Sequence, residues 1–137
     1  MKYINKKLTI ENVKVQNIAK RYGTPAYCYS YNQLKENINN FKRSFKSFSP
    51  LICFAIKSNT NVNLITEIRK LGLGADVVSI GELMKALKAG IKPNKIVFSG
   101  VGKTAEEIKY AINKKILLIN AESKSEIFEI ERIAKIN

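Results

Sequence analysis

Four times along this chain a hydroxyl residue is followed, three positions later, by Glu or Gln: Ser30 with Gln33, Ser79 with Glu82, Thr104 with Glu107 and Ser123 with Glu126. This is the spacing of a capping box, in which side chain and backbone at a helix start satisfy each other's orphan groups. Just upstream of each lies a short apolar run suited to a strand: Ala26–Tyr29, Ala75–Val78, Lys95–Phe98 and Ile116–Ile119, with a further run at Leu51–Ile56. Downstream, apolar residues recur three or four apart, as at Leu34, Ile38, Phe41 and Phe45, at Leu64, Ile65, Ile68 and Leu71, and at Ile127, Ile130 and Ile133. Gly72 and Gly90 stand where such helices would end in a left-handed residue. Strands alternating with helices imply a parallel sheet covered by those helices. Ile10–Tyr22 reads as one more short amphipathic helix, stopped by Gly23 and Pro25.

Two architectures suit this alternation, an open doubly wound sheet and part of a (β/α)8 barrel, and both collect functional groups at the C-terminal strand ends. Composition narrows the classes of function. The 137 residues hold no histidine, so neither a histidine acid–base pair nor a classical zinc site can be assembled. Cys28 and Cys53 lie within apolar runs, where a thiol behaves as a small hydrophobe, and a reducing, cytoplasmic setting is expected. The formal charge of +13 is nearly all lysine spread along the chain without a block. A nucleic-acid-binding domain is therefore the weaker alternative, since it would gather arginine and exposed aromatics on one element. No run is long enough to span a membrane, and the N-terminus carries no apolar export segment.

The stretch "SGVGKT", Ser99–Thr104, invites reading as a phosphate-binding loop, but counting back five from Gly102 reaches Val97, inside a strand, where the motif needs glycine. A tight turn leading into the Thr104 cap accounts for these glycines. The more informative stretch is "LICFAIKSNTN", in which an apolar run ends on Lys57 and continues at once into Ser58 and Asn59. A lysine there either reaches water or does chemistry.

From Phe54 to Gly72, "FAIKSNTNVNLITEIRKLG" resembles the cofactor-attachment segment of the fold-type III pyridoxal-phosphate decarboxylases, the group acting on diaminopimelate, ornithine and arginine. The pattern is an aromatic, a small residue, any residue, the lysine, a small residue and asparagine, completed by Leu64, Ile65, Ile68 and Gly72. "YGTPAYCYS", "LGLGADVVSIGELMKALKAG" and "IVFSGVGKTAEEIKYAI" resemble successive segments of the diaminopimelate branch, although Ile80 stands where glycine is more usual.

The resemblance implies an α/β fold, the N-terminal half of an alanine-racemase-like (β/α)8 barrel, with a lead-in segment over residues 1–30 and a partial barrel over 31–137. It implies pyridoxal 5'-phosphate as cofactor, with Lys57 as the catalytic residue carrying it as a Schiff base and Ala55 and Asp76 beside it. The implied reaction is decarboxylation of meso-2,6-diaminopimelate to L-lysine by a homodimer. An ornithine- or arginine-type decarboxylase and a non-catalytic cofactor-binding relative are the alternatives. Glu82 is better explained by its cap. Phe54 and Ile56 are expected to give Lys57 a defined reach and a partly dry setting.

A complete barrel needs about 250 residues. Strands beginning at Leu51, Ala75, Lys95 and Ile116 supply its first four, so the chain reads as an N-terminal portion, with the phosphate loop and the partner of the pyridine nitrogen beyond Asn137. Alone it is expected to fold poorly and to be inactive, with Ile52, Phe54, Val77, Ile96, Phe98 and Leu117 facing inward and lacking opposing strands.

Overall fold

A computed structural model describes residues 1–45 and 47–136, which fall into two compact units, Met1–Ser49 and Pro50–Asn137. The first opens with a three-stranded antiparallel sheet of β1 (Lys2–Ile4), β2 (Lys7–Ile10) and β3 (Val13–Lys14). Ile4 pairs with Lys7, so β1 and β2 are joined by the two residues Asn5 and Lys6, both at positive φ (47° and 60°). This left-handed pair matches the twist of a hairpin. Helix α1 follows at Val15–Tyr22 and α2 at Tyr31–Ser44. The helix expected from Ile10 thus begins five residues later, because Ile10 is held in β2 against Val13. The strand expected at Ala26–Tyr29 is absent. That segment is irregular and exposed, Cys28 included, and is not part of the sheet of its unit.

The second unit contains β4 (Cys53–Ala55), α3 (Val62–Lys70), β5 (Gly74–Val77), α4 (Ile80–Lys88), β6 (Ile96–Phe98), α5 (Ala105–Asn113), β7 (Leu118–Ile119) and α6 (Lys124–Ile136). Its strands are all parallel and adjacent in chain order, β4-β5-β6-β7. A doubly wound sheet reverses its strand order at a switch point; right-handed crossovers that always step to the next strand put every helix on one face, the winding of a barrel.

The core confirms that layering. Ala75, Val77, Ile96 and Phe98 from the strands pack with Ile65 of α3, Leu83 and Ala86 of α4 and Ala111 of α5, all fully buried. Phe54 and Ile119, partly buried, join them. The expected inward set is therefore corrected: Phe54, Val77, Ile96 and Phe98 face the helices. The opposite face carries the register row Ala55, Asp76, Val97 and Leu118, one residue from each strand. Helix ends follow the sequence reading, with Gly72 and Gly90 at φ 86° and 84°. Gly74 is required for another reason: a Cβ there would lie 2.2 Å from the Lys95 carbonyl oxygen, where β5 and β6 approach.

Candidate active site

The four parallel strands end on the same side, and the residues just beyond them form the candidate site. After β4 the chain turns through one 3-10 turn, Ile56–Ser58. Ile56 is fully buried in the helix-side core and anchors the turn. The small polar residues after Lys57 then satisfy backbone groups. Ser58 Oγ donates to the Ala55 carbonyl (2.7 Å), Asn59 N–H donates to that of Ile56 (3.0 Å), and Asn59 Oδ1 accepts from Asn61 N–H (2.9 Å). Asn61 in turn caps α3 by accepting from Asn63 N–H at 2.9 Å. With neighbours committed to the turn, Lys57 is left exposed at its apex. The partly dry setting expected for it is not provided by the described residues, since Ile56 points its bulk into the core instead.

Asp76 lies in β5, opposite Ala55 in register and on the face away from the helices. Ala55, its register neighbour, is small and only partly buried. Ser99, the first residue past β6, donates its hydroxyl to Asp76 Oδ1 at 2.6 Å, and Asn120, the first past β7, donates its amide to Ser99 Oγ at 3.0 Å. Sequence reasoning singled out Asp76 as a candidate and did not consider its hydrogen-bonded neighbours Ser99 and Asn120. Their position immediately beyond a barrel-type strand was the available signal. Close by in β4, burial, with the Asp76 charge as a second cause, pushes the Cys53 thiol above its ordinary value.

The "SGVGKT" loop is a structural clasp. Gly100 and Gly102 adopt φ of 100° and 78°. Lys103 Nζ is sealed in, its side chain 1% exposed, with bonds to the carbonyls of Gly100 (2.6 Å) and Asn120 (2.8 Å) and to Glu126 Oε1 (2.9 Å). Glu122 accepts from Gly100 N–H at 3.1 Å. Glu82 also acts at a helix start, its Oε2 accepting from Val78 N–H at 3.0 Å. Among the described residues no cluster of three metal-ligating side chains occurs.

An exposed primary amine at a strand end, a small residue two positions before it and a carboxylate on the adjacent strand suit a cofactor that bears an aldehyde, because an unhindered amine is the group that captures a carbonyl. The donor set fits pyridoxal phosphate on that chemistry.

Comparisons with known proteins agree. The diaminopimelate decarboxylase of Helicobacter pylori strain J99 is 48% identical over 120 residues, 88% of this chain and 30% of that protein. That of Aquifex aeolicus is 42% identical over 134 residues, 98% of this chain and 31% of its own length. A crystal structure of H. pylori diaminopimelate decarboxylase complexed with L-lysine superposes with a TM-score of 0.86 at 45% identity, covering 90% of this chain and 31% of that one. The chain therefore spans about a third of the length of these relatives, at their N-terminal part. Over residues 31–136 it matches the pyridoxal-binding domain of the pyridoxal-dependent decarboxylases, and it belongs to that family.

Proposed function

We propose that the protein to which these residues contribute decarboxylates meso-2,6-diaminopimelate to L-lysine, with Lys57 as the residue that holds pyridoxal 5'-phosphate. The observation that carries this reading is Lys57 itself: an exposed amine raised on a rigid turn at the C-terminal end of β4, within the family's pyridoxal-binding domain. The relatives named as diaminopimelate decarboxylases, at 42–48% identity, support the choice of substrate.

Bound pyridoxal phosphate supplies an electron sink for the pair left behind when a carboxylate departs as CO2. The chain's own residues have other duties. Lys57 Nζ would hold the cofactor, and as a free amine it would be the group that moves a proton at the reacting carbon. Asp76 supplies negative charge near that nitrogen, and Ala55 keeps the adjoining face open. Ile56, locked in the core, fixes how far Lys57 reaches, a positional contribution to rate. On the same reading the enzyme is a cytoplasmic homodimer whose second domain completes the neighbouring subunit's site.

The test has two parts. Residues 1–137 fused to the remaining two thirds of the A. aeolicus relative are incubated with pyridoxal phosphate, reduced with borohydride and digested; the pyridoxyl group should map to Lys57 and be lost in Lys57→Ala. Lys57→Arg should not restore it, because a guanidinium does not deprotonate to attack a carbonyl. CO2 release by the same fused protein is then followed from meso-diaminopimelate and from ornithine. A higher rate on ornithine overturns the substrate choice and leaves the cofactor assignment standing.

A further inference from the structure

Ser99 and Asn120 lie one residue past the ends of β6 and β7, and their side chains continue laterally from Asp76 of β5. The direction of the bonds is dictated by proton count. Asp76, as a carboxylate, only accepts, so the single Ser99 hydroxyl proton goes to its Oδ1; Ser99 Oγ can then only accept from its other neighbour, and Asn120 must present its NH2. Each member is also held by its backbone. Ser99 N–H donates to the Val77 carbonyl and Asn120 N–H to that of Phe98, both at 2.8 Å, while the Asn120 carbonyl accepts from the buried Lys103. Among the described residues Asp76 Oδ2 takes no hydrogen bond.

We infer that Ser99 and Asn120 are positioning residues, a one-way hydrogen-bond relay across three strand ends that fixes the Asp76 carboxylate so that its second oxygen serves the charge at the Lys57 nitrogen. The inference rests on the cofactor reading above and deepens it. A carboxylate on a strand can turn about its side-chain bonds; a 2.6 Å bond to a hydroxyl that is itself held removes that freedom. Ala55 is the register neighbour of Asp76 and leads through Ile56 into Lys57, so the lysine follows two residues after the position paired with the carboxylate. Fixing a counter-charge before the cofactor arrives is preorganisation, which a surface serine and asparagine with no shared partner would not supply.

The experiment titrates that fused protein, carrying residues 1–137, with pyridoxal phosphate by visible absorbance and maps the modified lysine after borohydride reduction. Ser99→Ala and Asn120→Asp should each raise the dissociation constant for occupancy at Lys57 at least threefold and move the absorbance maximum of the adduct, as Asp76→Asn should. Asn120→Asp replaces a donor by an acceptor and leaves one hydroxyl proton between two carboxylates, without removing bulk. Ser99→Thr keeps the hydroxyl and should behave as the unaltered chain. A merely structural serine would not shift the spectrum or be rescued by threonine. If the unaltered chain is modified at Lys57 but Ser99→Ala and Asn120→Asp leave affinity and spectrum unchanged, the relay is wrong and the cofactor reading survives. If the unaltered chain is modified elsewhere than at Lys57, the cofactor reading fails and the relay falls with it.

Discussion

Glu107 Oε1 accepts a 2.9 Å hydrogen bond from the backbone N–H of Ile80, the first residue of α4, although Glu107 belongs to α5. Its Oε2 meanwhile closes the capping box of its own helix, accepting from Thr104 N–H at 3.1 Å and Thr104 Oγ1 at 3.0 Å. One carboxylate thus ties the starts of two consecutive helices together. It also accounts for an orphan donor of α4 that the Ser79 cap does not reach, since Ser79 Oγ is used by Glu82 N–H.

Removing that carboxylate should cost more than an ordinary cap. Glu107→Ala forfeits bonds at two helix starts, and a single lost cap costs about 0.5–2 kcal/mol, so a loss of about 2–3 kcal/mol is expected from the two together. Glu107→Gln keeps one accepting oxygen and should lose roughly half of that. Urea unfolding of the fused protein, followed by circular dichroism, measures both; equal, small effects for the two variants would show that the bond to Ile80 contributes nothing.

Acid should weaken the second unit through the same kind of group. The bond from Ile80 N–H, followed by that from Thr104 N–H, holds the Glu107 carboxyl below its ordinary value of 4.5, and the bond from Glu122 N–H, with help from Lys103, does so for Glu126. A carboxyl lowered on folding binds its proton more readily when unfolded. Its stabilisation is therefore complete above pH 4.5 and is lost as the pH falls through the lower folded value. The urea midpoint should be flat from pH 7 to about 5 and fall below that, and Glu107→Gln should make the fall shallower. A midpoint that rises on acidification would contradict the sign.

The two faces of the sheet should differ sharply in sensitivity. Phe98 is fully buried against the helices, whereas Val97, its neighbour in β6, is only partly buried on the other face. Phe98→Ala should cost about 3–5 kcal/mol, and Val97→Ala should cost clearly less, about 1 kcal/mol. Comparable losses would mean that the layering of helices on one face is wrong.

That layering marks the limit of what the sequence discloses. The caps at Ser79, Thr104 and Ser123 and the glycines at 72 and 90 are local signals, and their elements form as read. Face assignment is not local. Both faces of a parallel strand carry apolar residues, so alternation in Ile96-Val97-Phe98 gives no parity, and the wrong set was assigned inward. The N-terminal hairpin escaped because its left-handed turn is made by Asn5 and Lys6 without glycine. The exposed place of Lys57 just past a strand was legible from the residues around it. The relay from Asn120 through Ser99 to Asp76 was not, because it joins residues 21 and 23 positions apart that only the sheet brings together.

Lys103 should prove a structural lysine, distinct in every measurable respect from Lys57. Its ammonium has three protons, and Gly100, Asn120 and Glu126 supply three acceptors at 2.6–2.9 Å in a place where the side chain is 1% exposed. Capturing an aldehyde would require breaking all three bonds, so pyridoxal phosphate and borohydride should leave Lys103 unmodified in the folded chain. Substitution should instead act on stability. Lys103→Ala strands a mostly buried carboxylate at Glu126, a loss of about 3–5 kcal/mol. Pairing Lys103→Met with Glu126→Gln removes both charges, so it should recover a substantial part of that loss in urea unfolding. The prediction fails if Lys103→Ala is as stable as the unaltered chain, or if the folded protein is labelled at Lys103 as readily as at Lys57, because either result would mean that the clasp between β6 and β7 is open in solution.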